Sequence, residues 1–404
     1  MKKLFCILLS ALMLASCMTG CNKAEETTPT TPAVTTEPAP TGPVAPMDEK
    51  YDSITIAGVA LSEYTIVYAP DAFETAKEQY PNSFTYGETH YAKLIAEEMA
   101  QVFKNMVGVE LRVVPDTEPE TANEILVGET NRKESAKQSN RNLYLFNLAV
   151  KGTKLVLEGA SSAANYDSME RLFAYFQSQG TKDVTVPAGF ATNGDADVIT
   201  VACIGDSITA GAGSSNGTYC TYPAILQRIL WKDYLIINYG NSGKTMREDL
   251  ADAYIKCPQY TSVKSKAKDV DIALIMLGTN DSNRDQNWND NSTAEFEKGY
   301  RNLLEVLKKG NPDMKYVMMN CPVYGGTAQF GSETVRNLQR SLTSDLKSEG
   351  WDMYFFDMYT FSKDVITLRN FPDSLHPGDK GYAIMANGLA NKLLLPLADG
   401  TYGK

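Results

Sequence analysis

Histidine is nearly absent: the 404 residues contain 2, His90 and His376. A centre built from several imidazoles is excluded, and chemistry that needs a single imidazole has only those two places to work from. Cysteine does not make up the difference. Of 7 cysteines, Cys6, Cys17 and Cys21 crowd the N-terminus, and Cys203, Cys220, Cys257 and Cys321 lack the paired spacing of a zinc site, so no metal is expected. Basic charge is in deficit as well, with 38 Lys and Arg against 49 Asp and Glu for a net charge of -11. No basic stripe exists to neutralise phosphates, which argues against a nucleic-acid partner. Acidity of this size keeps a protein soluble and says little about substrate.

Long apolar runs are also missing. The run 4–14, behind Lys2 and Lys3, is too short to span a bilayer comfortably and reads as an export signal. Leu14-Ala15-Ser16-Cys17 resembles a bacterial lipobox, and Met18-Thr19-Gly20-Cys21 is a second candidate. That resemblance implies that Cys17, or Cys21, is lipidated and becomes the first residue of an exported lipoprotein, anchored at the outer face of the cell membrane or the cell surface. Residues 1–21 are thus expected to be signal and lipobox, and 22–50 a tether. Thr, Pro, Ala and Glu make up nearly all of 25–46, a composition that cannot bury a core and favours extended polyproline II. Export permits disulfides. Cys203 and Cys321 sit in apolar strand runs, where buried free thiols are common, which leaves Cys220 with Cys257 as the pair to test.

A chain of this length is too long for one ordinary core and suggests two domains. Residues 51–187 mix strand-like runs at 54–57, 64–68, 109–114, 124–127, 143–150 and 154–157 with helical apolar spacing over 91–107 and 163–177. An α+β domain with helices over a mostly antiparallel sheet is expected. Its run Ile125-Leu126-Val127-Gly128-Glu129-Thr130-Asn131-Arg132 resembles the small accessory domain that precedes catalytic domains in several bacterial glycoside hydrolases. Residues 188–197, rich in Gly, Ala, Asn and Asp, read as a linker. From 198 to 404 strands alternate with helices: apolar runs at 198–204, 235–239, 270–277, 315–321 and 353–356 are those of buried parallel strands. Helical segments lie near 223–231, 293–309, 333–349 and 382–395, with Ser292 and Glu295 read as a capping box. The expectation is a three-layer α/β/α sandwich with about five parallel strands.

Four short blocks fall at the carboxyl ends of those strands, where open parallel sheets bind ligands. They are Gly205-Asp206-Ser207-Ile208-Thr209-Ala210-Gly211, Asn238-Tyr239-Gly240-Asn241-Ser242-Gly243, Gly278-Thr279-Asn280-Asp281 and Asp373-Ser374-Leu375-His376. A serine hydroxyl is a poor nucleophile until a base takes its proton, and the base needs a third group to fix its tautomer. Ser207, His376 and Asp373 supply that set, because His90 lies far back in the first domain. Ser207 N–H, Gly243 N–H and the Asn280 amide make a three-donor oxyanion hole. Asp206 and Asp281, beside these residues, are expected to hold loop backbone.

These blocks resemble those of the GDSL-type, or SGNH, hydrolases over roughly 198–398. The resemblance implies a serine esterase that needs no cofactor, with Ser207 as nucleophile, Gly243 and Asn280 in oxyanion roles, and Asp373 and His376 completing the triad. Asn241 departs from the apolar residue often found in that family. Surface anchoring and polar loops favour a short acyl group, such as acetyl, on carbohydrate. A lysophospholipase or thioesterase would instead show an apolar groove, and a glycan-binding surface protein would have no need of all three triad residues. Tyr219, Tyr222, Arg284 and Trp288 are candidates to line the substrate cleft. Gly213-Ser214-Ser215-Asn216-Gly217 formally matches the nucleophile elbow of α/β-hydrolases, yet it follows no strand and opens no helix, so Ser215 reads as a loop residue.

Overall fold

The computed structural model describes residues 49–70, 73–84, 91–135, 142–285, 287–322 and 332–403. The export signal, Cys17, Cys21, nearly all of the tether, and His90 lie outside the described residues. No helix among the described residues is long and apolar enough to cross a membrane. The chain divides into two compact units, one holding the residues up to Pro70 with Ala92–Asp197, the other holding Asp71–Tyr91 with Val198–Lys404.

Among the described residues nine strands belong to the first unit: β1 (Ser53–Ile56), β2 (Val59–Ala60), β3 (Thr65–Tyr68), β4 (Arg112–Pro115), β5 (Glu124–Val127), β6 (Leu145–Lys151), β7 (Lys154–Gly159), β8 (Asp183–Val186) and β9 (Ala191–Asp195). The main sheet runs β4-β3-β5-β7-β6-β9 and is mixed, not mostly antiparallel. Its β4, β3, β5 and β7 pair in parallel, β6 runs against them, and β9, antiparallel to β6, runs with them again. The helix Tyr91–Val107 falls between β3 and β4 in sequence and makes a parallel crossover possible. The expected linker at 188–197 is largely β9, whose backbone pairs with β6 from Leu145↔Asp195 to Ala149↔Ala191. Its polar, Gly-containing sequence suits a sheet edge and hides that pairing. Within the 125–132 run and its neighbours, Arg132 and Lys154 each approach the Glu124 carboxylate at 3.0 Å. The run thus builds a buried ionic hub.

The second unit holds β10 (Ile199–Gly205), β11 (Tyr234–Gly240), β12 (Ile272–Met276), β13 (Lys315–Met319) and β14 (Met353–Phe356). All pairings are parallel and the order is β11-β10-β12-β13-β14. Because side chains alternate along a strand, β10 sends Val201 and Cys203 into one core and Ala202 and Ile204 into the other. Helices Tyr222–Ile229 and Asp379–Leu389 cover the first face through Tyr222, Leu226, Tyr382 and Met385, while Pro258–Lys266, Asp290–Gly310 and Ser332–Ser348 cover the second through Val263, Phe296, Tyr300 and Leu342. This is the expected α/β/α sandwich. The cap of Asp290–Gly310 differs from expectation: Asn289 is the N-cap and Ser292, not Glu295, closes the box. Strand order reverses between β10 and β12, so the connections leaving those two strands diverge and open a crevice at their carboxyl ends.

Candidate active site

Strand β10 ends at Gly205, and Asp206 caps a single helical turn, Ser207–Ala210, by accepting the Ile208 N–H at 2.9 Å. Ser207 therefore stands at the crevice, 8% exposed. The neighbouring strand lets this turn settle low: a Cβ at Gly240 would lie 2.2 Å from the Ala210 nitrogen. The Asn238 side chain secures the same turn by donating to the Thr209 carbonyl at 2.9 Å.

The fourth block arrives after β14. Asp373 Oδ1 accepts the His376 N–H at 2.8 Å and the Leu375 N–H at 3.1 Å, folding the three-residue spacing into a tight turn. Ser374 takes the left-handed conformation in it, with φ 68°. That turn brings Asp373 Oδ2 within 2.6 Å of His376 Nδ1, while His376 Nε2 lies 2.8 Å from Ser207 Oγ. The partners assign the tautomer: Nδ1–H donates to the carboxylate and Nε2 accepts from the serine hydroxyl. Burial works to raise the Asp373 carboxyl, but the His376 backbone N–H, its imidazole and the Leu375 N–H together hold it below its ordinary value. A row of carboxylate, imidazole and hydroxyl can move a proton off the hydroxyl as a bond forms at oxygen.

The second and third blocks meet beside this row. Gly243 has φ +76°, a conformation that suits glycine. Asn280 Nδ2 donates to the Lys244 carbonyl at 3.0 Å, which fixes the amide and leaves its other N–H for a ligand. Asp281 joins the blocks, accepting the Met246 N–H at 2.9 Å and the Arg247 N–H at 2.8 Å. Burial pushes the Asp206 and Asp281 carboxyls up to about 6, against the pull of those backbone donors. Arg247 is held by Asp249 at 2.6 Å and Asp285 at 2.5 Å, so the loop after Gly243 is fixed on its outer side too.

Of the expected cleft residues, Arg284 borders the site: it donates to the Gly243 carbonyl at 3.2 Å and pairs with Asp252. Tyr222 does not. It is 0% exposed, its hydroxyl 3.1 Å from Thr209 Oγ1, because the first turn of its helix faces the core above β10. Trp288 packs edge-on against Phe296 and donates to Thr293 Oγ1, and Tyr219 packs against Tyr80 and Phe84. Cys220 and Cys257 are buried free thiols, not a disulfide. Ser215 is exposed and donates to Asp379 through its N–H and hydroxyl. Among the described residues no group of three His, Cys, Asp or Glu side chains gathers as a metal ion would need. Arg228 and residues 80–84 have no counterpart among the residues expected from sequence, although a cation amid the apolar spacing of Tyr222, Ile225, Leu226 and Ile229 is the signal that could have raised them.

Residues 203–384 match the family described as GDSL-like Lipase/Acylhydrolase. A stretch of 118 residues is 36% identical to an acetylxylan esterase of Xylanibacter ruminicola, covering 29% of this chain and 23% of that protein. The chain thus spans less than a quarter of the length of that curated relative. Among solved structures, a carbohydrate acetylesterase family member from Sinorhizobium meliloti is similar over 51% of this chain and 100% of its own, at 22% identity and a TM-score of 0.39. A family two carbohydrate esterase from Clostridium thermocellum, in complex with cellohexaose, is similar over 52% of this chain and 68% of its own, at 22% identity and a TM-score of 0.38.

Proposed function

The chain carries a GDSL-type hydrolase domain over residues 203–384, and from that premise we propose that the protein is a serine esterase that removes short acyl groups, chiefly acetyl, from carbohydrate. The observation that carries the chemistry is the unbroken row from Asp373 Oδ2 to His376 at 2.6 Å and from His376 Nε2 to Ser207 Oγ at 2.8 Å. Ser207 Oγ attacks the ester carbonyl as its proton passes to His376 Nε2, and Asp373 steadies the imidazolium. Negative charge on the carbonyl oxygen meets the Ser207 and Gly243 N–H groups and the free N–H of the Asn280 amide, each such donor being worth about 10² to 10³ in rate. The tetrahedral adduct collapses, the alcohol leaves with the proton from His376, and Ser207 keeps the acyl group. Water then attacks with His376 again as base, releasing the acid and restoring the serine hydroxyl.

The substrate class is supported by the acetylxylan esterase relative and by the character of the rim. Arg284, Lys244 and Asp252 form a charged border beside Gly243, which suits a hydroxylated substrate better than an acyl tail. We further infer that the protein is an exported lipoprotein, lipidated at Cys17 or Cys21, whose tether holds it at the cell surface. The test is Ser207→Ala on the full chain, assayed with p-nitrophenyl acetate, longer p-nitrophenyl esters and acetylated xylan. Hydrolysis is expected to fall by at least about 10³-fold with folding intact, and the wild-type protein is expected to prefer acetyl over longer chains. Substantial activity in Ser207→Ala would overturn the nucleophile. A preference for long acyl chains would overturn the carbohydrate reading in favour of a lipid esterase.

A further inference from the structure

Loop 211–220 links the nucleophile's helical turn to the helix Tyr222–Ile229, and it is gripped on two sides. On one side stands the base. Gly213 comes so close that a Cβ there would lie 2.8 Å from His376 Cβ. The Ala212 carbonyl accepts the Tyr382 hydroxyl at 2.6 Å, and Ser215 donates to Asp379 at 2.8 Å and 2.5 Å. On the other side lie residues 80–84, part of the stretch 71–91 that belongs to the same unit although the chain before and after that stretch belongs to the other. Asn216 donates to the Tyr80 hydroxyl at 3.3 Å and, with its carbonyl oxygen, accepts the Thr218 and Tyr219 N–H groups. Arg228 closes the arrangement. It is 1% exposed, donates to the Tyr219 carbonyl at 2.9 Å and to the Ser83 carbonyl at 2.6 Å, and stacks over Phe84 at 4.1 Å.

A buried guanidinium used in this way binds two separate pieces of backbone with one rigid fork, and a lysine would replace only part of it. We propose that Arg228 and residues 80–84 are positioning elements for the catalytic base: they brace loop 211–220 against the turn at 376–379, and this holds His376 at bonding distance from Ser207. None of them touches the reacting atoms. The inference rests on the esterase reading given above, and it names residues outside the four blocks as determinants of the rate.

The test uses the full chain carrying Arg228→Met, Arg228→Lys or Tyr80→Phe, with activity normalised to folded protein and Ser207 counted by a fluorophosphonate probe. Arg228→Met is expected to lower kcat and the phosphonylation rate together by about tenfold or more, with KM within about twofold, because displacing a reacting group by a fraction of an ångström is enough for such a loss. Arg228→Lys should fall between that variant and the wild type, and Tyr80→Phe should lose a few-fold. If Arg228→Met does not fold, Tyr80→Phe and Phe84→Leu carry the test. Wild-type kcat and phosphonylation in every variant that folds would overturn the proposal, even if melting temperatures drop. Ser207→Ala run alongside separates the two readings: activity in Ser207→Ala sinks the esterase itself, whereas an inactive Ser207→Ala beside fully active bracing variants sinks only the brace.

Discussion

Asp206 stands one residue before Ser207 with its carboxyl closed off from water, and this has a consequence for stability. Burial raises it from 3.8 to about 6 in the folded protein, and Asp281 likewise, whereas in the unfolded chain both return to about 3.9. Between those values the folded state holds protons that the unfolded state has lost. The contribution is therefore fully present below about pH 3.9 and disappears as pH rises through about 6, so stability falls with rising pH in that window. The size is on the order of 3 kcal/mol per group at most, because each tenfold change in proton affinity is worth about 1.4 kcal/mol. Carboxylates held low by partners, such as Asp373, Asp249 and Asp285, act at more acid pH and do not cancel it. Urea midpoints measured from pH 4 to 7 should decline more steeply in the wild type than in Asp206→Asn, which cannot titrate. Equal slopes would mean that Asp206 is ionised in the folded protein throughout.

At the scale of elements, what was legible in the sequence follows from where the physics is local. A strand buried on both faces must be apolar throughout, so the parallel strands could be read from runs such as 272–276, and motifs at their ends then fell into place. Asp373 and His376 were legible as a pair because three residues are enough for one turn. The mixed sheet of the first unit was not, since pairing direction depends on what connects the strands, and β9 was hidden because an edge strand of Ala-Thr-Asn-Gly-Asp carries a loop's composition. Tyr222 was misplaced for a similar reason: position after a strand does not reveal which way the first turn of a helix faces. Close backbone approach is equally silent in sequence, and Gly240 is a case beside the site. A Cβ there would meet the Ala210 nitrogen at 2.2 Å and the Thr209 carbonyl carbon at 2.6 Å, both backbone atoms of the turn that carries Ser207. Gly240→Ala is expected to lose about 1–3 kcal/mol of stability from overpacking and at least about tenfold in kcat from displacement of Ser207. Gly217→Ala serves as its control, because a Cβ there has no neighbour within 4 Å. If Gly240→Ala keeps wild-type kcat, the seating of the turn on β11 does not set the geometry of Ser207.

For the whole molecule, the decisive fact is that the chain passes between its two units three times, at 70–71, at 91–92 and at 197–198. A boundary drawn from composition alone falls near 188–197 and cuts the second unit from part of its own fold. What the cut removes is not surface decoration. Ser83 is 0% exposed and Phe84 8%, Arg228 commits its guanidinium to the Ser83 carbonyl and the Phe84 ring, and the Tyr91 ring lies 5.6 Å from that of Trp231, itself 6% exposed. Loss of a buried aromatic contact forfeits about 1.5–3 kcal/mol, and a buried guanidinium deprived of an acceptor costs about 1–3 kcal/mol more. Against a total of roughly 5–15 kcal/mol for a domain, that is a large share. A chain starting at Val198 is therefore expected to unfold at a clearly lower urea concentration than the second unit does in the full chain, and to bind a hydrophobic dye in the absence of denaturant. Restoring residues 71–91 by fusing them through a flexible linker to the C-terminus should recover much of the difference without any of the first unit. If the fragment from Val198 matches the full chain in midpoint and in kcat, then 71–91 only rests on the hydrolase fold; if it fails and the fusion rescues it, the segment is part of that fold.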